Sequence, residues 1–380
     1  MWNPLSSPPT RKHHAVSFVR GTTAIIAAGV TYTDPDYGSW KTSHDLLLFD
    51  ADDGNWTRYG ASDGVGGAGL VDVVTNASLD RGFATSYMFG GQMYYGFGVA
   101  CTTESFQSCS AYSNSIHRTN WSETRLNVDG PLRMHHVTDL PGPGRIHPAF
   151  VITSRGDLIV ALGSTRYENL DDAWRYDIDA GSWSNLPSFA YAAHHPYAFH
   201  IGAVAYVGFG HGADIYPHLF RYDTEDVDAG WAACNQLPAQ GRVAGAQFSH
   251  RGRGYVIGGE GALPFHYALP QNEFWEFTPT STGGSWRPLP AAPGTGWWAP
   301  TSFIVDNTLH YALGMNRPFG SRTSAQMLAF SFELPSERNC SSLKEAFTDA
   351  GCCNQTTDDG DEHTCNGLRS EYEDRQCCEP

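Results

Sequence analysis

The chain has 380 residues, 13% of them aromatic, with 41 Gly and 22 Pro but only 17% charged, a profile of many short strands joined by tight turns. Its formal charge of −16 argues against a nucleic-acid binder, because no basic stripe replaces condensed counterions. No apolar run reaches the ~18 residues that a membrane-spanning helix needs, and Met1 leads into Trp2-Asn3-Pro4 rather than a basic and then apolar leader.

In chain order, strand-like runs recur in units of about 40 residues, the length of one propeller blade. The clearest unit reads Ala149-Phe150-Val151-Ile152, Asp157 to Gly163, Ala173 to Asp177, and Trp183 to Pro187. Its aromatic pair, Tyr176 and Trp183, is seven residues apart, as are Phe49 and Trp56, while Tyr222/Trp231 and Phe277/Trp286 are nine apart. Second strands end in Ala28-Gly29, Phe97-Gly98, Leu162-Gly163, Phe209-Gly210, Gly258-Gly259 and Leu313-Gly314. The second unit is the most degenerate.

With these residues the chain resembles the kelch-repeat family over about residues 2–335. The resemblance implies an all-β, six-bladed kelch-type β-propeller and leaves function open, because such propellers serve many roles. Trp286 to Ala299 aligns without a gap on Trp2 to Ala15. Trp2–Leu5 is therefore expected to complete the sixth blade as its outermost strand, leaving no sheet edge open.

Propeller topology gathers the segments leading into each innermost strand on one face. These segments bring Arg11, His14, Arg145, His147, His195, Arg242 and Trp298 to the channel mouth, and the loops between second and third strands add Glu260. This cluster is the candidate ligand-binding site, with the arginines expected to attract anions. An arginine at such a position can instead satisfy neighbouring backbone carbonyls. His211, Asp214 and His218 are weak metal candidates. Their spacing resembles the iron-binding motif of nitrile-specifier proteins, with Gly210 where the first ligand belongs. No catalytic residue is assigned and no cofactor is expected, iron or calcium being the only weak candidates, the latter at Asp358–Glu362. Galactose oxidase and the sialic-acid mutarotases are kelch enzymes. Arg145, Arg242 and Glu260 resemble the channel groups of the mutarotases by analogy of fold.

Residues 336–380 read as a separate cysteine-rich tail. Cys340 to Cys353 and Cys365 to Cys378 share one pattern, with Leu343/Phe347 and Leu368/Tyr372 at helical spacing. A 12-residue helix spans about 18 Å, beyond the roughly 7 Å reach of a disulfide. An α-helical hairpin is therefore expected, pairing Cys340 with Cys377 or Cys378 and Cys365 with Cys352 or Cys353. Cys101 and Cys109 form a further expected bridge, while Cys234 stands alone. These cysteines, with sequons at Asn55, Asn76, Asn120, Asn339 and Asn354, point to a secreted glycoprotein or another oxidising lumen. The expected function is binding or scaffolding of a protein or glycan partner, alone or within a larger assembly. The alternative is a carbohydrate-active enzyme at the channel mouth.

Overall fold

The computed structural model describes residues 1–32, 40–59, 69–101, 109–119, 131–263, 267–316 and 322–332. The chain divides into two units, 1–330 and 331–380. The tail cysteines, with Asn120, Asn339, Asn354 and the Asp358–Glu362 turn, lie outside the described residues.

The first unit is all-β. It is built from antiparallel four-stranded sheets, an arrangement compatible with a β-propeller. The third sheet shows the pattern: Ala149–Ile152, Asp157–Ala161, Ala173–Asp177 and Ser182–Leu186 follow one another as an up-and-down meander. Its first two strands are buried throughout and its fourth alternates or faces solvent. Apolar runs without alternation belong where both faces of a strand are covered. The degenerate second sheet carries an additional strand, Leu70–Asp72, parallel to Leu132–Asp139.

The aromatic pairs are cross-strand partners. Phe49 faces Trp56, Tyr176 faces Trp183, Tyr222 faces Trp231, and Phe277 faces Trp286 in direct register. Their ring centroids lie 4.9–5.4 Å apart, a spacing at which aromatic pairs add stability beyond burial. Three of these tryptophans also donate their indole N–H to the last strand of the preceding sheet or the segment just after it. Trp183 reaches Thr138 Oγ1 (3.0 Å), Trp231 reaches Pro187 O (3.0 Å) and Trp286 reaches Asn235 O (2.9 Å).

Trp2 belongs to the same series. Its Nε1 donates to Pro290 O at 2.7 Å, and Trp2–Pro4 pairs with the Met327–Ser331 strand, Trp2 opposite Phe330 and Pro4 opposite Leu328. The sheet that starts at Thr301–Val305 is thus completed by the first residues of the chain.

The glycines that end each second strand stitch sheet to sheet. Gly29 N–H donates to Arg81 O, Gly98 to Arg145 O, Gly163 to Ala193 O, Gly210 to Arg242 O, Gly259 to Trp297 O, and Gly314 back to Lys12 O, at 2.8–3.1 Å. At each of these glycines φ lies between +80° and +95°, a region that side chains other than glycine rarely adopt. A Cβ on Gly98 would come within 2.6 Å of Gly82 O, and one on Gly259 within 2.6 Å of Val243 O. The residue ahead also has positive φ, yet Ala28, Phe97, Leu162, Phe209 and Leu313 occupy it. Only the second place demands glycine, which is why a true Gly-Gly occurs once.

Two buried histidines give the fold a pH limit. His117 and His310 are each 4% exposed. Burial is the largest cause depressing both to about 4 from the ordinary 6.5. Around His117, Arg81 and His136 add to the depression while Asp72 and Asp139 oppose it; His310 stacks on Phe303. As pH falls below 6.5, the unfolded chain takes up protons that the folded chain refuses until about pH 4. Stability is therefore full above 6.5 and declines between 6.5 and 4, by roughly 1.4 kcal/mol per pH unit for each histidine. Urea midpoints at intervals across that window check this. A His117→Gln/His310→Phe double variant should show a flatter profile, and an equally steep one would contradict the assignment.

Candidate functional site

The lead-in segments and the loops after the second strands share one face through a repeated pairing. His13 bridges Val30, Gly82 bridges Val99, Ile146 bridges Ser164, His194 bridges His211, Val243 pairs with Glu260, and Trp298 bridges Met315. One residue beyond the first member of each pair stands His14, Phe83, His147, His195, Ala244 or Ala299, all at φ between +49° and +62°. Backbone bonds tie these positions across sheets, His14 N to Ala299 O (3.1 Å), His195 N to His147 O (3.2 Å) and Ala299 N to Ala244 O (2.6 Å) among them. Left-handed conformations cost a non-glycine residue roughly 1–2 kcal/mol each, and such outliers concentrate where the surrounding structure over-determines them.

The side chains at these positions converge. His14 Nε2 lies 2.8 Å from His195 Nε2, and the His147 and His195 rings stack with centroids 3.4 Å apart. His14 meets Phe83 at 4.8 Å, His147 at 4.7 Å and Trp298 at 4.5 Å between ring centroids. His13 Nδ1 approaches His14 Nδ1 from behind. Among the described residues, His14, His147 and His195 form the one group of three side chains spaced to share a metal ion, their ligand atoms all within 4.8 Å of one another. Neither ring nitrogen of His147 reaches solvent or a hydrogen-bond partner. Burial, then the neighbouring imidazoles of His14, His194 and His13, hold His147 well below the usual histidine range. His147 is therefore neutral at pH 7.

Behind this cluster a cavity of about 510 Å³ runs along the first strands. Its lining residues include Ser17, Thr85, Ser86, Gln247, Ser249 and Ser302, with Tyr87 and His200, among apolar ones such as Val16, Phe18 and Phe248. Tyr87 Oη lies 2.6 Å from His200 Nδ1. Ser17 Oγ donates to Ser302 O (2.9 Å), and Ser249 donates to His200 O. No Asp, Glu, Lys or Arg is among the lining residues.

Two of the three arginines expected to hold an anion, Arg145 and Arg242, are buried inside the protein. Arg145 is fully buried, with NH1 and NH2 at 2.6 and 2.7 Å from the two Asp172 oxygens and NH1 at 2.9 Å from Leu162 O. Arg242 is equally buried and pairs with Glu273 at 2.8 Å. Arg145 bonds backbone carbonyls as the structural alternative has it, whereas Arg242 bonds the Glu273 carboxylate and leaves its Nε and NH1 without a partner. Arg11 is exposed; the residue in register with Arg145 is Lys12, buried and 2.6 Å from Asp45. Burial alone would raise the Asp45 carboxyl, but Lys12, Ser43 and Arg58 pull it down to about 2. Glu260 is buried against Val243, and Trp298 packs on His13 and His14.

His211, Asp214 and His218 are not brought together. His211 pairs through its backbone with His194, Asp214 is exposed and accepts from Ile215 N, and His218 meets Gln236. Cys101 and Cys109 form the expected disulfide. Cys234 is a buried free thiol that burial pushes up to about 11. Asn55 and Asn76 are exposed. The sequence reading missed Lys12, His13 and the hydroxyl-lined cavity. Aligning the lead-in segments on His14 and His147 reveals Lys12.

Among the described residues, no helix is long and apolar enough to cross a membrane. No family model matches the chain, and no curated protein matches it. Solved structures do match. One, described as "Structure of YjhT", is similar with a TM-score of 0.59 at 13% identity, over 87% of this chain and 98% of that one. At that identity the likeness shows the fold alone.

Proposed function

We propose that the chain is a six-bladed, kelch-type propeller acting as a binding module, and that it holds a small neutral glycan in its central channel. The observation that carries this reading is the cavity of about 510 Å³ whose lining sets hydroxyl, amide and imidazole residues among apolar ones. That size is typical of small-molecule sites. Hydroxyls and amides exchange hydrogen bonds with sugar hydroxyls in both directions, whereas the lining lacks the paired carboxylates of most glycoside hydrolases. The repeated glycine links and the completion of the last sheet by Trp2–Pro4 support the six-bladed closure. The Cys101–Cys109 disulfide supports a secretory or extracellular setting. Residues 1–335 form the propeller in this reading, and 336–380 a disulfide-stapled helical hairpin that docks to a partner or larger assembly.

Titration calorimetry against a panel of neutral mono- and disaccharides tests the function. The wild type is expected to bind at least one, and Gln247→Ala to weaken it about tenfold, the worth of a hydrogen bond at the upper end of the usual range. Ser302→Trp, which fills the channel, should abolish binding with little change in melting. Binding indifferent to Ser302→Trp in a folded protein would overturn the channel as the site.

A further inference from the structure

We propose that His14, His147 and His195 form a facial three-imidazole site for a divalent transition-metal ion, of which zinc is the best fit, at the head of the channel. The inference goes beyond glycan binding and stands without it.

The donor set decides the class of ion. Three imidazoles with no carboxylate suit zinc, copper, nickel or iron(II) and not calcium or magnesium, which take oxygen ligands. Metal–nitrogen bonds of about 2.0–2.1 Å place tetrahedral ligand nitrogens about 3.3 Å apart. The His14 and His195 Nε2 atoms are 2.8 Å apart, and the third ligand atom lies within 4.8 Å of both, so turning the His147 ring out of its stack on His195 completes the face.

Two further observations point to a cation. Both His147 nitrogens are shut away from solvent and unpartnered, a costly state for a polar ring unless a ligand claims one of them. His14 is also supported from behind. Its Nε2 faces the cluster while Nδ1 meets His13 Nδ1, the kind of outer contact that fixes the orientation of a ligating imidazole. All three histidines line the cavity, so the remaining coordination position opens on that space. That is the layout of a metal site with an exchangeable position rather than a closed structural one.

The test uses the full chain after chelator treatment. Titration with cobalt(II) or zinc(II) alone should give one tight site per chain. The cobalt complex should show visible d–d absorption without a thiolate charge-transfer band, which separates the site from the tail cysteines. X-ray absorption of the wild-type zinc complex should show imidazole nitrogens at about 2.0 Å. His147→Ala and His195→Ala should each weaken binding at least about a hundredfold, more than loss of an outer-shell partner does. His218→Ala should leave it unchanged. If either variant fails to fold, the wild-type absorption spectrum decides alone. Failure to bind, a sulfur-dominated shell, or unchanged affinity in folded His147→Ala would each overturn the proposal.

Discussion

Removing residues 1–6 is expected to lower the unfolding free energy by at least several kcal/mol and to make the protein prone to aggregate. Trp2 is 9% exposed, and its indole lies against Phe274 (5.7 Å), Tyr311 (6.1 Å) and Phe330 (5.2 Å) between ring centroids. Truncating a core tryptophan to alanine typically costs about 3–5 kcal/mol, and Trp2→Ala should fall in that range. The deletion adds the bond from Leu5 N to Met327 O (3.0 Å) and the Ser6 carbonyl that accepts from Trp56 Nε1 (2.9 Å). It also leaves the Met327–Ser331 strand, buried over Met327 to Phe330, as an apolar open edge, a template for intermolecular pairing. Urea unfolding of the wild type, Trp2→Phe, Trp2→Ala and the deletion should give midpoints falling in that order. A deletion protein with the wild-type midpoint would show that the strand does not hold the last sheet.

Arg145→Ala is expected to cost about 3–5 kcal/mol, the usual penalty for removing one partner of a buried ion pair. The guanidinium binds both oxygens of Asp172 and the carbonyls of Leu162 and Pro143. Asp172 also accepts from Trp174 Nε1 at 2.7 Å. Burial works to raise its carboxyl, and Arg145 is the main influence holding it below its ordinary range. Leu162 has positive φ and precedes the Gly163 link to Ala193, so losing the arginine loosens a junction between sheets as well as a charge pair. An Arg145→Met/Asp172→Leu double variant removes both charges and should recover part of the loss. A single variant within about 1 kcal/mol of wild type, the level of an exposed ion pair, would contradict the structural role.

Why that role was hidden in the sequence is physical. The partners of Arg145 and Arg242 are Asp172 and Glu273, 27 and 31 residues downstream at the start of third strands. Spacing along the chain does not reveal which way a guanidinium turns, and its five N–H donors serve carbonyls and carboxylates alike. Arg11 was singled out one position away from Lys12 because the lead-in segment holds two adjacent cations. The glycine and aromatic signals were legible for the opposite reason. Gly98 and Gly259 occupy places where any Cβ collides with backbone, and Tyr176 and Trp183 are direct cross-strand neighbours, so geometry wrote a strict residue requirement into the chain. The mouth histidines were legible one by one. Their convergence depends on the left-handed backbone at His14, His147 and His195, which no residue-type preference announces.

The measurement that bears most directly on the proposed function is the position of a bound sugar in a crystal. Crystals soaked with the best neutral saccharide from the panel should show it inside the channel, within hydrogen-bond reach of Gln247 and Ser302 and below the His14–His147–His195 cluster. A sugar held only on the outer strands or the rim loops, with the channel empty, would contradict the reading.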